Sequence, residues 1–291
     1  MKFNLILASK GDKVAFLDLL FASLSKQKGE NELKIYFVDQ NRDSRNEAII
    51  KKWNGHLNIV FICDLGIGLS RARNVGLDAL YYDNVSGDEL VLFPDDDCVF
   101  CEDFFSKITC HFCDPSIYGV YYRVFDVADP NLELAYTSKL NSACLDFKSL
   151  FASITSINFI HRVAIDARFD EDFGLGGKFK SSEEILYIAH FLKNGFSFKY
   201  LKEVKILHPN LDTTVSTNEL YHKVWHNSVG HGALAGKLGR LGAFKASVYI
   251  LLISPIGRII VSTLLLDIKG ARIGLIYLVR RWYGLWGLLN N

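Results

Sequence analysis

Four short apolar runs rich in β-branched residues, at 3–8, 33–39, 59–63 and 89–93, alternate with three stretches of helical periodicity at 13–27, 44–53 and 70–81. That alternation is the signature of a sheet built mostly from parallel strands with helices returning across its faces. Each helical stretch carries apolar residues three to four apart; Val75, Leu77 and Leu80 follow Ser70, a candidate N-cap. A βαβαβαβ half-domain results, and 291 residues with 49% apolar content can close a sizeable core around it. In open α/β sheets ligands sit beyond the carboxyl ends of the strands. Here those exits are polar: Asp39-Gln40-Asn41 after the second strand, 64–70 after the third, and Asp95-Asp96-Asp97 after the fourth.

The second half is less regular. It holds a Tyr-rich segment at 118–125, an apolar stretch at 154–160, a glycine-rich loop at 169–179, a helix over 183–194 and a short strand ending at His208, before composition shifts near Leu211. The predicted organisation is a body at 1–210 and a helical region at 211–291.

Three adjacent carboxylates repel one another, so a strand end that tolerates Asp95-Asp96-Asp97 is expected to bind a divalent cation through hard oxygen ligands. A nucleotide diphosphate would complete the cation's shell, and the cation would stabilise charge on a leaving phosphate. The plainer alternative is a solvated acidic turn. Gly68-Leu69-Ser70-Arg71-Ala72-Arg73-Asn74-Val75-Gly76 places two arginines at a helix start, where free N–H groups also favour an anionic oxygen. A solvated basic turn would explain the arginines but not the accompanying Asn74 and glycines.

Taken in order, Val38-Asp39-Gln40-Asn41, then the Gly68–Gly76 segment, then Pro94-Asp95-Asp96-Asp97 resemble the family 2 glycosyltransferases of GT-A fold over about the first 210 residues. The resemblance implies a Rossmann-like nucleotide-diphospho-sugar transferase domain and a donor that is a UDP-sugar or another nucleotide-sugar. Ala8, Asp39, Asn41, Gly68, Arg71 and Asn74 would then line the donor site, with Asp39 near the base and Arg71 near the diphosphate. Asp95 and Asp96 would lie near ribose and sugar, and Asp97 on Mn2+ or Mg2+ in an Asp-x-Asp motif. Gln40-Asn41 stands where many relatives carry Asp-Gly or Asp-Asn.

Phe169-Asp170-Glu171-Asp172-Phe173-Gly174-Leu175-Gly176-Gly177, followed by Ser181-Ser182-Glu183-Glu184, is similar to the family's acceptor loop and its Glu-Asp pair, which assigns Gly176 and Gly177 to the acceptor. Inversion at an anomeric carbon needs a carboxylate to take the acceptor hydroxyl's proton. Glu184 holds the place of the family's usual Asp, and Glu183 competes with it. Two Glu after two Ser can also be a helix-start pair favoured by the macrodipole. His208, which as a lone histidine would read as a packed residue, resembles the histidine that completes the metal site in many GT-A enzymes.

From Leu220 onward nine Lys or Arg face a single acid, Asp267, whereas acids outnumber bases before it. The run 246–266 is apolar but contains Arg258 and is interrupted by Pro255 and Gly257, a poor match to a spanning helix. A pair of shorter helices broken at Ser254-Pro255 and lying in a membrane interface fits better, with Lys245, Lys269, Arg272, Arg280 and Arg281 meeting anionic headgroups and Trp282 and Trp286 at interface depth. A dimerisation module or a transmembrane hairpin is the alternative. His222, His226 and His231 read as exposed interfacial residues rather than as a second metal site.

The start of the chain, Met1-Lys2-Phe3-Asn4, enters a β-like run without the pattern of a secretory signal, so Cys63, Cys98, Cys101, Cys110, Cys113 and Cys144 are expected as reduced thiols. The two Cys-x-x-Cys elements stand only eight residues apart, too close for the usual zinc ribbon, and read as ordinary buried thiols. The expected protein is an inverting, metal-dependent hexosyl- or N-acetylhexosaminyl-transferase of surface polysaccharide biosynthesis, peripheral or monotopic at the cytoplasmic face of the inner membrane. Its expected partners are a nucleotide-sugar donor, a lipid-linked saccharide acceptor and the membrane surface, with no nucleic acid. The rivals are a sugar-1-phosphate nucleotidyltransferase, whose glycine-rich phosphate loop Ala8-Ser9-Lys10-Gly11-Asp12 does not supply, and a non-catalytic membrane-bound scaffold of the same fold.

Overall fold

The computed structural model describes residues 1–11, 13–41, 45–83, 85–134, 144–163, 167–210 and 216–290. In chain order these form β1 (Lys2–Ser9), α1 (Val14–Ser25), β2 (Glu32–Asp39), α2 (Arg45–Trp53), β3 (Asn58–Cys63), α3 (Leu69–Tyr82), β4 (Leu90–Leu92), β5 (Val99–Phe100), α4 (Phe104–Thr109), β6 (Gly119–Asp126), α5 (Phe147–Ser153), β7 (Phe159–Arg162), α6 (Glu183–Lys193) and β8 (Phe198–His208). The helices α7 (Thr217–Arg240), α8 (Phe244–Val248), α9 (Ser254–Leu264) and α10 (Ile268–Leu289) follow. The four expected strands and three expected helices are all present to within a few residues; Ser44, expected to open the second helix, lies outside the described residues.

Eight strands form one sheet in the order β3-β2-β1-β4-β7-β6-β8-β5. The first four strands run parallel, β7 runs antiparallel to β4 and β6, and β6 and β8 are parallel. Parallel strands carry helices on both faces, and two apolar cores result. On one face Phe3, Leu5 and Leu7 pack with Phe21 and Phe105; on the other Ile6 and Val91 pack with Leu77, Leu80 and Phe159. Register brings the exits of β1 and β2 together, with Ser9 opposite Asp39. On the far side β5 pairs with β8 so that Val99 faces Leu207, which sets His208 beside the residues that follow β4.

Several expectations change. The strand ending at His208 is eleven residues long rather than short, because it spans both β6 and β5. The apolar stretch 154–160 divides between the residues after α5 and the start of β7. All six cysteines are free thiols, but Cys110 and Cys113 are exposed on a 3₁₀ turn after α4 rather than buried. Pro255 does not break the apolar tail: Phe244–Leu264 is one helix of 21 residues. A turn of π-helix at Tyr249–Ile253 precedes the proline and absorbs the missing N–H and the ring's bulk.

The tail also does not stand apart from the body. Ala233, Leu234, Ala235 and Leu238 of α7 belong to the same apolar core as β4 and α6. Helix α10 lies back along α7 with glycines where the backbones meet: a Cβ on Gly232 would overlap the carbonyl oxygen of Arg281, and one on Gly284 that of Val229. Arg281, expected at headgroups, is instead 2% exposed inside this packing, donating from Nη1 to the Ile250 carbonyl at 2.6 Å and stacking on Tyr277. His231 likewise turns inward, its ring edge-on to Phe151, rather than outward.

Gly284→Ala is expected to force α7 and α10 apart and to destabilise the protein by about 1–3 kcal/mol, read as a lowered midpoint in denaturant unfolding. Gly257→Ala, on α9 with open space around it, is expected to leave the midpoint unchanged or raise it, by up to about 1 kcal/mol. Equal effects at the two positions would show that close helix approach is not what Gly284 provides.

Candidate active site

The four strand exits and the start of α6 converge. At the end of β1, Ser9 donates to Asp96 Oδ2 at 2.8 Å, and Gly11 N–H bonds back to the Ser9 hydroxyl at 3.1 Å. At the end of β2, Asp39 is buried and its Oδ1 accepts from Asn46 Nδ2 at 2.8 Å and from the Asn41 N–H at 3.0 Å, so the carboxylate stiffens the β2 exit. Gln40 Nε2 donates to the carbonyls of Gly66 and Gly68 and ties that exit to the loop before α3. Ala8, Ser9, Lys10, Lys13, Gln40, Leu69, Asp95, Asp96 and Leu175 line a cavity of about 220 Å³.

Helix α3 begins without a side-chain cap. Its N-cap is Gly68 at φ 120°, a backbone that L side chains rarely adopt, and Ser70 lies inside the helix rather than at the cap. The Ser70 hydroxyl donates to the Phe173 carbonyl at 2.6 Å, and Leu69 N–H donates to the Leu175 carbonyl at 2.8 Å. The glycine-rich loop is thereby fastened across the helix start. Gly176, also at positive φ, sits so close to Gly68 that a Cβ there would meet the Gly68 backbone; Gly177 is pressed against the carbonyls of Glu171 and Asp172. Asn74 is committed to the same loop, donating to the Phe169 carbonyl and Glu171 Oε1 at 3.0 Å each and accepting from Phe169 N–H at 2.9 Å. Asn74 therefore positions the loop and is not among the residues lining the cavity. Arg71 is also outside that lining; it is largely exposed and its Nη2 lies 3.0 Å from Asp64 Oδ1.

Arg73 is the buried partner of the acidic groups. It is 2% exposed, its Nη1 lies 3.1 Å from Glu183 Oε1 and its Nη2 3.4 Å from Asp95 Oδ1, and it stacks on Phe169. Asp95 joins Asp97 and His208 in a cluster whose ligand atoms all lie within 4.8 Å of one another. Asp95 is thus part of the metal-type group and not only of a sugar-binding edge. Burial pushes Asp95 and Asp96 above the usual carboxylate range despite Arg73 and Lys13. Burial works in the same direction on Asp97, but His208 and then Lys13 outweigh it and hold that carboxyl at about 2.

The donor set fits a hard divalent cation. His208 Nδ1 lies 2.9 Å from the Pro209 carbonyl, which turns Nε2 toward Asp97 Oδ1 at 3.1 Å; burial opposes the charged imidazole, but Asp97 outweighs it and raises His208, so a bound cation would take the place of the proton shared there. Asp97 Oδ1 is buried and, apart from this ion pair, has no hydrogen-bond partner, so a carboxylate oxygen and an imidazole nitrogen converge where a cation could ligate both. Lys13, which the pattern of motifs did not single out, bonds Asp97 Oδ2 and sits 3.6 Å from Asp96 Oδ1. Applying the strand-exit rule to β1 as well as to the later strands would have found it.

Glu183 and Glu184 open α6 behind Ser182, a non-glycine residue at φ 76° that makes no capping bond. Both glutamates lie in the first turn of α6, as a macrodipole-favoured pair would, but Ser182 supplies no capping bond, and a strained backbone stands next to the candidate base. Glu183 is paired with Arg73. Glu184 is raised well above the ordinary range, by burial first and by the charge of Glu183 next, and its Oε2 is buried with no hydrogen-bond partner.

A model of the family described as Glycosyl transferase family 2 matches residues 9–174. Among solved structures, the chain is similar to S. aureus TarS (19% identity, TM-score 0.56), covering 79% of this chain but only 40% of that one. It is similar to residues 1–349 of the same protein in complex with UDP (17% identity, TM-score 0.56, 100% of this chain and 92% of that). It also resembles the mannosyltransferase PcManGT from Pyrobaculum calidifontis in complex with GDP-Man and Mn2+ (14% identity, TM-score 0.62, 99% and 86%). No protein of curated function matches.

Arg73→Met is expected to leave Glu183 and Asp95 with buried, uncompensated charge and to destabilise the fold by about 3–5 kcal/mol. Denaturant unfolding at neutral pH checks this, and a loss below about 1 kcal/mol would show that the ion pairs are not structural. Asp97→Ala is expected to abolish the extra thermal stabilisation that Mn2+ adds to a nucleoside diphosphate, because a ligand held only by the folded protein raises its stability. Unchanged melting curves would remove Asp97 from the metal site.

Proposed function

The chain belongs to glycosyl transferase family 2, and from that premise we propose that it moves a hexosyl or N-acetylhexosaminyl group from a UDP-sugar, with inversion, to a lipid-linked saccharide during surface polysaccharide assembly. The observation that carries this reading is the convergence of Asp95, Asp97 and His208 at the edge of the cavity lined by Ala8, Ser9, Gln40 and Asp96. The UDP complex of TarS and the GDP-Man and Mn2+ complex of PcManGT show proteins of this fold with such ligands, and support a nucleotide-sugar donor.

Asp95, Asp97 and His208 would hold Mn2+ or Mg2+, which when bound supplies positive charge to stabilise the departing diphosphate. The remaining work falls to side chains of the chain itself. Glu184 accepts the proton of the acceptor hydroxyl while that oxygen forms its bond to the anomeric carbon. The bond from that carbon to the diphosphate oxygen breaks on the opposite face, and its electron pair leaves with the nucleoside diphosphate. Glu183 is the weaker candidate because Arg73 already stabilises its charge. Glu184 makes no ion pair among the described residues, is raised well above the ordinary carboxylate range by burial first, and keeps one oxygen, Oε2, without a hydrogen-bond partner. Gly176 and Gly177, whose lack of a side chain keeps the loop low over α3, would face the acceptor sugar.

The tail supports a membrane-held acceptor. Phe244–Leu264 is long and apolar enough to cross a membrane by length and composition, and most of it is uncovered by the rest of the protein. With Ile260, Leu264, Leu266, Ile268 and Trp286 outward and Lys245 and Lys269 flanking them, the hairpin is suited to lie in the interface of the cytoplasmic leaflet.

Glu184→Gln is expected to lower turnover roughly 10²–10⁴-fold while UDP-sugar binding, read as thermal stabilisation in the presence of Mn2+, stays as in the wild type. In the wild type, kcat/KM should rise with pH through a limb well above the ordinary Glu value of about 4.3, since only the deprotonated carboxylate accepts the proton. Retained turnover in the variant would move the role to another group, and release of pyrophosphate instead of nucleoside diphosphate would replace the reaction with nucleotidyl transfer.

A further inference from the structure

A second cavity, of about 450 Å³, opens between α7 and α10 and is lined by Tyr221, His222, Trp225, His226, Arg272 and Ile276. Arg272 in its lining and Arg280 next to it, over the lining residue Trp225, are set in place by aromatic faces. The Arg272 guanidinium lies 4.4 Å over the ring of Tyr221, and that of Arg280 lies 4.3 Å over Trp225 and 4.8 Å from Tyr283. Among the described residues neither arginine has a carboxylate partner, and Arg280 Nε is buried with no hydrogen-bond partner. An arginine that packs on a ring and keeps its donors unspent is positioned for an external acceptor.

The histidines reinforce this. His222 and His226 stand one turn apart with their Nε2 atoms 3.2 Å from each other. The basicity of His226 is lowered by burial first, then by His222, Lys180 and Arg280, which sets two standing cations, Lys180 and Arg280, around the histidine pair. That surplus disfavours a metal ion between the imidazoles and favours an anion. The outer rim is apolar, with Leu275, Val279, Trp282 and Trp286 exposed along α10. The inner rim leads to the active site: Lys180 directly precedes Ser181, whose hydroxyl donates to the Asn227 carbonyl at 2.9 Å, and Gly230 lies against Ser181 two residues before Glu183.

We propose that this cavity binds the phosphate or pyrophosphate group of the lipid that carries the acceptor saccharide. The inference rests on the proposed glycosyl transfer and names the acceptor's chemistry. A phosphate held by Arg272, Arg280 and the histidine pair would keep its lipid chain along the exposed apolar face of α10 and direct the attached sugar toward Glu184. The cavity's place between an apolar outer rim and the segment that carries the candidate base is what favours a lipid phosphate over a soluble one.

The test uses the full chain and vesicles of phosphatidylcholine alone, of phosphatidylcholine with phosphatidylglycerol, and of phosphatidylcholine with dihexadecyl phosphate, whose headgroup is a phosphate monoester. Tightest binding is expected to the dihexadecyl phosphate vesicles. In the Arg272→Ala/Arg280→Ala double variant that preference should fall roughly thirtyfold, about fivefold for each cation near the surface, with thermal unfolding and stabilisation by UDP and Mn2+ unchanged. If the double variant does not fold, Arg272→Ala alone, at an exposed position, carries the test with a loss of about fivefold. Equal binding to phosphatidylglycerol and dihexadecyl phosphate, or wild-type preference in the variant, would overturn the proposal. So would arginine-dependent stabilisation by inorganic pyrophosphate with no preference among vesicles, which would assign the cavity to a soluble anion. Absence of stabilisation by UDP and Mn2+ in the wild type would instead count against the glycosyl-transfer reading and leave the vesicle result to be judged by itself.

Discussion

The buried guanidinium of Arg73 is the point on which the site depends. It comes from α3, reaches Asp95 after β4 and Glu183 at the start of α6, and lies against Phe169 in the glycine-rich loop. One side chain therefore fixes the relative positions of the metal-type carboxylates, the candidate base and the loop that would receive the acceptor. Its charge also separates two neighbouring glutamates chemically. Glu183 takes the cation, whereas burial first and the neighbouring Glu183 next raise Glu184.

A second set of contacts holds the loop that Arg73 alone would leave free. Ser70, Asn74 and the backbone of Leu69 bind the loop at Phe169, Phe173 and Leu175, and Lys237 of α7 reaches Asp170 at 2.8 Å. The segment at the start of α3 is thus partly a clamp for the glycine-rich loop. Gly68-Leu69-Ser70-Arg71-Ala72-Arg73-Asn74 spends three of its side chains, Ser70, Arg73 and Asn74, on the loop and on α6, and gives the cavity only Leu69; the cavity's polar lining comes from Ser9, Lys10, Lys13, Gln40, Asp95 and Asp96.

The frame of the protein could be read from local pattern. β-Branched apolar runs and three-to-four spacing gave the first four strands and three helices, because burial on both faces of a parallel sheet leaves no other composition for such strands. Asp97 and His208 were legible as a pair only through family resemblance, yet the reason for their meeting is register: Val99 opposite Leu207 puts the end of β8 beside the end of β4. What local pattern could not supply were contacts across long separations. Arg73 and Glu183 are 110 residues apart in sequence, and nothing near Arg73 distinguishes a phosphate-binding arginine from a buried one. Asn74 likewise meets Phe169 and Glu171, 95 and 97 residues away, which nothing in its neighbourhood announces. Pro255 misled in the opposite way: a proline ordinarily ends a helix, and the π turn that accommodates it leaves no mark in composition.

The basic tail shows the same limit, since a count of charges does not tell which of them face outward. Arg281 is turned into the helix packing with its pKa drawn down to about 10 by burial, whereas Arg272 and Arg280 lie on aromatic faces at the surface of the α7–α10 pair. The difference follows from the glycines. Where Gly232 and Gly284 let the two backbones touch, an adjacent arginine has no route to solvent and must satisfy itself on the Ile250 carbonyl and the ring of Tyr277. One turn away the helices are lined by Tyr221 and Trp225, which hold the guanidinium groups flat and leave their edges available. Since α7 also rests on Ser181 and grips the loop through Lys237, a load on the tail is carried to the segment bearing Glu184 through packed backbone. The tail therefore packs against the segment that leads into α6 and against the glycine-rich loop, and a change that loosened α10 from α7 would be felt at both.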